Sequence, residues 1–279
     1  MAEYANDVLV EPEWLEQHLN DDSIRIVEVD ENPGLYREAH IPGAIGFDWR
    51  LDLQDQVKRD FLGPEDFGAL FGGRGISNDH QVILYGDRNN WFAAYTYWYL
   101  KYYGHDNVKL LNGPRERWIA EGRPTTVDLP SYSETTFTAK PGDDTIRAKR
   151  DEVLAALTDS KKLVDVRSPQ EYSGELIAMP GYENEGAQRS GHIPGAKSIP
   201  WAQAVKEDGT FKSAEDLRDL YGGKGVLSGD PIIAYCRIGE RSAHTWFVLH
   251  ELLGESDVKN YDGSWTEWGN LVNVPIEKG

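Results

Sequence analysis

The sequence of 279 residues contains little sulfur and an excess of acidic side chains. It has one cysteine and two methionines, and 29 lysines and arginines stand against 47 aspartates and glutamates, which gives a net charge of −18. A single cysteine excludes an intramolecular disulfide and a metal site built from several cysteines. The acidic balance argues against nucleic-acid binding, which requires a basic surface. We expect the acid excess to serve solubility.

Long apolar runs are also absent. No stretch approaches the roughly 20 apolar residues that a membrane-spanning helix requires. The first seven residues do not combine a basic segment with an apolar one, as a secretory signal does. The seven histidines are scattered, without the spacing of metal ligands. We therefore expect a cytoplasmic protein that neither enters the membrane nor binds nucleic acid.

The single cysteine, Cys236, follows the apolar run 232–235 and precedes a helical pattern. A thiol between a strand end and a helix start faces backbone N–H groups and the positive end of the helix dipole, which favour the thiolate. Arg237 and Arg241 add two positive charges close by. A buried structural cysteine is the alternative, but such a cysteine does not need two arginines within five residues. Cys236 is therefore the predicted nucleophile.

The spacing of the loop favours sulfur chemistry. Four residues, 237–240, separate Cys236 from Arg241, whereas cysteine phosphatases place five residues between cysteine and arginine. The shorter ring of amides fits a single sulfur atom better than a tetrahedral anion, and it suits the outer sulfur of a persulfide. The stretch Cys236–Ser242 resembles the active-site loop of bacterial thiosulfate sulfurtransferases of the rhodanese family. A cysteine phosphatase is the alternative that the spacing disfavours.

This resemblance implies a thiosulfate:cyanide sulfurtransferase that works by a ping-pong route. The Cys236 thiolate would take the outer sulfur of thiosulfate as a persulfide and pass it to a thiophilic acceptor, which is cyanide, a thiol or a sulfur-accepting protein. The cycle requires no metal or organic cofactor. The residues expected to bind the substrate are those of the loop: Arg237, Ile238, Gly239, Glu240, Arg241 and Ser242.

Two departures from the vertebrate members limit which groups can recognise the substrate anion. Those enzymes place a thiosulfate-binding arginine where this chain has Glu171, and a lysine where it has Ile238. Recognition is therefore expected from Arg237, Arg241 and the loop amides, in a pocket of local positive charge. Two further cations are expected near its mouth, Arg189 and Lys197.

Two related functions stay open. 3-Mercaptopyruvate sulfurtransferases share the two-domain fold, but their loop is usually small and uncharged. The two arginines here favour the dianion thiosulfate, because arginine binds such oxyanions well. The second alternative is a sulfur-carrier protein that passes its persulfide to a partner.

An internal repeat extends the resemblance to nearly the whole chain. Gly72–Ile76 matches Gly222–Val226 at an offset of 150 residues, and His40–Ala44 recurs as His192–Ala196 at an offset of 152. Solenoid repeats have periods of about 20–50 residues. A period of 150 residues has the size of a domain, and two-domain rhodaneses have this organisation.

The repeat predicts two rhodanese-like domains, at residues 1–125 and 145–279, joined by a linker at 126–144 that is rich in turn-forming residues. Cys236 falls opposite Gly86. The N-terminal domain therefore has no nucleophile at this position, and we interpret it as a catalytically silent copy.

Alternating patterns predict an α/β fold in each domain, with a mainly parallel central sheet and helices on both faces. The predicted strands are 24–29, 82–85, 162–166 and 232–235. The predicted helices are 11–19, 64–71, 93–103, 149–157, 214–220 and 243–253. Ligands of such sheets bind at the carboxyl ends of the strands, where Cys236 would lie.

Two other motifs are given structural interpretations. His40 and His192 recur in both halves, including the half without a cysteine, which indicates imidazoles bonded to backbone at a turn. Asp165 and Arg167 are expected to form an ion pair at a strand end.

Overall fold

The computed structural model describes residues 3–183 and 186–279, which form two compact units. The N-terminal unit comprises Val8–Asp143 and Val205–Phe211. The C-terminal unit comprises Asp144–Ala204, Lys212–Gly279 and the described residues before Val8. No described helix is both long enough and apolar enough to span a membrane.

The N-terminal unit is built on a five-stranded parallel sheet with the strand order β1-β5-β4-β2-β3. Its strands are β1 (Leu9–Val10), β2 (Ile24–Glu28), β3 (Ile45–Gly46), β4 (Gln81–Tyr85) and β5 (Val108–Leu111). Its helices are α1 (Pro12–Gln17), α2 (Leu35–Glu38), α3 (Pro64–Gly73), α4 (Asp87–Tyr102) and α5 (Arg115–Ala120). After α5, residues 121–143 contain no helix and only an isolated bridge at Thr126.

The C-terminal unit repeats this topology, with the strand order β6-β10-β9-β7-β8 and parallel pairing throughout its sheet. Its strands are β6 (Arg147–Ala148), β7 (Lys162–Asp165), β8 (Lys197–Ser198), β9 (Ile232–Tyr235) and β10 (Val258–Tyr261). Its α-helices are α6 (Arg150–Ala156), α7 (Pro169–Ser173), α8 (Ala214–Gly222), α9 (Glu240–Trp246) and α10 (Ser264–Trp268). Together the two sheets confirm the predicted α/β fold.

The helix that follows Cys236 differs from its prediction. It was expected at 243–253, but α9 begins at Glu240, and Phe247–Leu252 continues it as a π-helix. The earlier start has a local cause, because Gly239 adopts a φ of 95° and turns the chain into the helix directly after the loop. Glu240 and Arg241 are therefore helical residues.

The repeated histidine segments have the structural role that the sequence indicates. The Nδ1 atom of His40 lies 2.7 Å from the Tyr36 carbonyl oxygen, and that of His192 lies 2.9 Å from the Tyr172 carbonyl oxygen. Each imidazole also stacks on the tyrosine whose carbonyl oxygen it contacts. The residue after each histidine donates its amide to a buried tyrosine on the central strand, Tyr85 or Tyr235. These contacts fix the turns to the sheets.

Gly86 follows β4 at the position where Cys236 follows β9. A Cβ atom at Gly86 would lie 2.1 Å from the Val29 carbonyl oxygen, and that oxygen belongs to the backbone. The N-terminal unit therefore cannot accept a cysteine here without moving its backbone.

We expect Gly86→Ala to destabilise the protein by about 1–3 kcal/mol, the usual cost of overpacking. The measurement is the midpoint of urea unfolding. Gly73→Ala is the matched control, because nothing lies within 4 Å of the added Cβ and alanine favours the helix. Equal midpoints for the two variants would contradict the steric argument.

Candidate active site

Cys236 is fully buried at the carboxyl end of β9, the middle strand of its sheet. Its amide donates to the Ser264 hydroxyl at 3.0 Å, and its carbonyl oxygen accepts from the Trp265 amide at 3.1 Å. Both of these partners lie on α10. Helix α10 therefore holds both the amide and the carbonyl oxygen of Cys236.

The thiol sulfur has close polar neighbours at Gly239 and Glu240 of the loop. The Gly239 amide donates to Sγ at 3.2 Å, and Sγ lies 3.3 Å from a carboxylate oxygen of Glu240. The Asn260 side chain donates to the Gly239 carbonyl oxygen at 2.9 Å and so fixes the peptide that follows the donor amide. Ser242 in turn bonds Asn260 at 2.6 Å. Ser242 thus supports the loop through Asn260 and also donates hydrogen bonds to Cys236.

The buried Glu240 carboxylate turns back onto the loop. The oxygen that contacts Sγ also accepts the Ile238 amide at 3.1 Å, and the other accepts Arg237 Nη2 at 3.0 Å. The Arg237 guanidinium lies over the ring of Tyr182, 3.9 Å from its centroid. The carboxylate thus accepts hydrogen bonds from Arg237 and Ile238, two residues expected to bind the substrate.

Arg241 forms a bidentate ion pair with Glu171, with N–O distances of 2.9 and 3.0 Å. Both side chains are buried. Glu171 is fixed by the start of α7, where it shares a capping box with Ser168. Burial alone would raise the pKa of Glu171, but the hydrogen bonds and charge of Arg241 outweigh it and lower this pKa to about 2.

The expectation of a positively charged pocket is wrong for these two arginines. Each one pairs with a buried glutamate, so the formal charges of Arg237, Arg241, Glu171 and Glu240 cancel. The physical reason is the cost of burying a guanidinium, which is tolerable only beside a counter-ion. Glu171 thus acts as the counter-ion of Arg241.

The expectation that the surroundings of Cys236 stabilise its thiolate is also wrong in sign. Burial raises the pKa of the thiol, and the negative charge of Glu240 raises it further. Arg241 and hydrogen bonds from Ser242 oppose this effect without reversing it. The sequence shows that Glu240 is near the cysteine, but it does not show that the carboxylate turns towards the sulfur.

The other charged residues that the sequence singled out are not among the described contacts of the Cys236 sulfur. Arg167 forms the predicted ion pair with Asp165, at 2.6 Å, and both are buried. Arg189 is exposed and bonds the Gln188 carbonyl oxygen. Lys197 is exposed on the edge strand β8.

Sequence reasoning missed two residues that hold the loop, Asn260 and Ser264. Asn260 is fully buried on β10, within the run Val258–Tyr261. A polar residue in a buried strand needs hydrogen-bond partners, which is the signal that could have singled it out. Ser264 begins α10 and has a φ of 51°, a conformation that the sequence does not reveal.

The family model of the rhodanese-like domain matches this chain twice, at residues 11–121 and 149–271. Together with the parallel sheets and the cysteine loop, these matches show that the chain belongs to the rhodanese family. The chain is a tandem pair of rhodanese-like domains with one cysteine, in the second domain.

Two curated relatives and one solved structure are similar to nearly the whole of this chain. The chain is 56% identical to the "Putative thiosulfate sulfurtransferase" of Haloferax volcanii, over 100% of this chain and 99% of that protein. It is also 56% identical to the "Sulfur carrier protein TtuD" of Thermus thermophilus, over 98% of this chain and 97% of that protein. A solved structure of EanB, with ergothioneine covalently linked to a persulfide cysteine, superposes with a TM-score of 0.84 at 25% identity, covering 98% of this chain and 70% of that one. The names of the two relatives, a thiosulfate sulfurtransferase and a sulfur carrier, agree with membership of the rhodanese sulfurtransferase family.

Glu171→Gln should destabilise the protein by about 3–5 kcal/mol at pH 7, because it leaves the Arg241 charge buried without a counter-ion. The pKa of Glu171 is lowered on folding, so its contribution is complete above about pH 4.5 and is lost as the pH falls towards 2. Urea unfolding at pH 7 and in acid measures the difference in the free energy of unfolding between wild type and Glu171→Gln. The exposed Glu175→Gln is the control, and a deficit that does not shrink in acid would contradict this account.

Glu240→Gln should lower the pKa of Cys236, because it removes the negative charge 3.3 Å from the sulfur. We expect the midpoint of the thiolate titration to fall, because one of the charges that raise the pKa of the thiol is gone. Ultraviolet thiolate absorbance measures it, with Cys236→Ser as the blank. Glu215→Gln makes the same charge change on the exposed surface of α8 and should leave the midpoint in place. An unchanged midpoint in Glu240→Gln would show that the carboxylate does not act on the thiol.

Proposed function

We propose that this protein is a thiosulfate sulfurtransferase that carries sulfur as a persulfide on Cys236. The observation that carries the proposal is the position of its sulfur, buried at the end of β9 with an amide donor at 3.2 Å and a carboxylate at 3.3 Å. The amide can stabilise sulfur anions, and the carboxylate can receive the thiol proton.

The first step is the transfer of the thiol proton from Cys236 to Glu240. The carboxylate oxygen lies 3.3 Å from the sulfur, so the proton moves directly between the two groups and no charge leaves the site. Proton transfer also neutralises the carboxylate that faces Arg237. The guanidinium charge of Arg237 then becomes available to the incoming thiosulfate dianion.

The second step is attack by the Cys236 thiolate on the outer sulfur of thiosulfate. The bond between the two thiosulfate sulfurs breaks, and sulfite leaves with the electron pair. The product is a persulfide, whose terminal sulfur carries the negative charge. Cyanide, a thiol or an acceptor protein then removes that sulfur and restores the thiolate. Because Cys236 is the only cysteine in the sequence, no second thiol of the chain can discharge the persulfide as a disulfide.

The identity of the sulfur acceptor distinguishes a small-molecule sulfurtransferase from a sulfur-carrier protein. The Thermus relative bears the name of a sulfur carrier at 56% identity, which favours a persulfide handed to a protein as the second candidate. Mercaptopyruvate is the competing small-molecule donor. We place the reaction in the cytoplasm, where thiols are kept reduced.

The test compares turnover with thiosulfate and with mercaptopyruvate, using cyanide as acceptor. We expect higher catalytic efficiency with thiosulfate, and loss of activity in Cys236→Ser with the fold unchanged, because a serine cannot form a persulfide. Equal or better use of mercaptopyruvate would overturn the choice of donor. A stable persulfide that does not transfer its sulfur to cyanide would favour the sulfur carrier. Substantial turnover by Cys236→Ser would exclude Cys236 as the sulfur-bearing group.

A further inference from the structure

Ser242 is a fully buried residue of α9 that lies beside the reacting sulfur. Both its amide and its hydroxyl act on Cys236 as hydrogen-bond donors. The same hydroxyl bonds Asn260 Oδ1 at 2.6 Å. A hydroxyl carries one proton, so it cannot donate to the sulfur and to Asn260 at the same time. The two hydrogen bonds of this hydroxyl are therefore alternatives.

The orientation of the Asn260 amide decides which alternative the resting protein adopts. Asn260 Nδ2 donates to the Gly239 carbonyl oxygen at 2.9 Å, so Oδ1 is the amide atom that faces Ser242. Oδ1 can only accept a hydrogen bond. The proton between these two side chains must therefore come from Ser242, and a distance of 2.6 Å indicates that it is engaged there.

Asn260 has little freedom to release this proton by turning over. It is fully buried on β10, and its own amide donates to the Ile146 carbonyl oxygen at 2.9 Å. A flipped side chain would bring Oδ1 against the Gly239 carbonyl oxygen, two acceptors without a proton between them. Gly239 is also confined, because a Cβ atom on it would lie 2.5 Å from the Asp262 Cα atom. The hydroxyl is therefore the group that can turn.

The preferred acceptor of the hydroxyl changes when Cys236 loses its proton. The sulfur of a neutral thiol is a weak acceptor, so the carbonyl oxygen of Asn260 is preferred in the thiol form. A thiolate carries a full negative charge, and hydrogen bonds to ionised groups are roughly twice as strong as those between neutral groups. Rotation about the Cβ–Oγ bond of Ser242 redirects the proton, which stays bonded to Oγ throughout.

We propose that Ser242 is a catalytic hydroxyl that turns from Asn260 to the Cys236 sulfur when the thiol ionises. Asn260 is then the positioning residue that holds the hydroxyl in the thiol form. The turned hydroxyl stabilises the thiolate that attacks thiosulfate, and again the thiolate that remains once the acceptor has taken the sulfur. This role in catalysis rests on the proposed function, whereas the change of hydrogen bond can be measured without any sulfur transfer.

The charged groups around the sulfur do not include either member of this hydrogen bond. The groups that face the thiol directly or through an ion pair are Glu240, Arg241, Arg237 and Glu171. Serine and asparagine side chains stay neutral across the titration of a thiol. A substitution of Ser242 therefore leaves every one of these charges in place, and a changed thiolate titration reports the lost hydroxyl.

The first measurement is the thiolate titration of Ser242→Ala by ultraviolet absorbance, with Cys236→Ser as the blank. We expect its midpoint to rise above that of wild type, because the thiolate loses a donor. Thr245→Val is the matched control, since it removes a fully buried hydroxyl of the same helix that acts on Tyr221 instead. The control should keep the wild-type midpoint. Equal midpoints in Ser242→Ala and wild type would overturn the proposal.

The second measurement uses wild type, so it stays decisive if Ser242→Ala fails to fold. The side-chain carbonyl carbon of Asn260 is followed by NMR over the same pH range. We expect an upfield shift with the midpoint of the thiolate absorbance, because the carbonyl oxygen loses its donor as the hydroxyl turns away. No such step should occur in Cys236→Ser. A resonance that stays in place while the thiol ionises would overturn the proposal, as would an upfield step that persists in folded Ser242→Ala.

Neither measurement requires thiosulfate, which separates this inference from the proposed function. A protein that shows both shifts but transfers no sulfur would overturn the proposed function and leave the hydrogen-bond switch standing. An active sulfurtransferase in which the Asn260 resonance ignores the ionisation of Cys236 would overturn the switch alone.

Discussion

The buried ion pair between Arg241 and Glu171 is the constraint on which the sulfur site depends. A guanidinium inside the protein needs a counter-ion, and Glu171 supplies one from the capped start of α7. The pair ties the helix after the cysteine to the chain after the neighbouring strand, β7. Arg237 meets the same requirement through Glu240. The loop is therefore an electrically balanced structure, in which a glutamate neutralises each buried guanidinium.

The two units show how one topology supports different chemistry. Both have the same strand order, and both end their central strand with a tyrosine whose hydroxyl accepts a backbone amide. They diverge in the next residue, which is Cys236 in one unit and the sterically confined Gly86 in the other. They diverge again beside the neighbouring strand, where Arg167 is replaced by Asp30. A duplicated fold has thus kept its turns and changed the groups at the strand ends.

The sequence predicted the features that depend on local pattern. Apolar runs located β4 and β9, and the 150-residue offset indicated two copies of one fold. Contacts between distant residues were out of reach, because nothing in the sequence shows that Glu171 meets Arg241, 70 residues away. The prediction for the pKa of Cys236 had the wrong sign because the largest cause of the shift is burial of the thiol, and the Glu240 carboxylate adds to it. Charges counted along the loop do not give the field at the sulfur.

The central claim is that sulfur passes through a covalent intermediate on Cys236, and a single turnover without acceptor tests it most directly. The protein is incubated with thiosulfate alone, the released sulfite is quantified, and the mass of the cysteine-containing peptide is measured. The account predicts one sulfite per chain and one added sulfur on Cys236, which cyanide then removes as thiocyanate. Sulfite release without added mass, or added sulfur elsewhere in the chain, would contradict it.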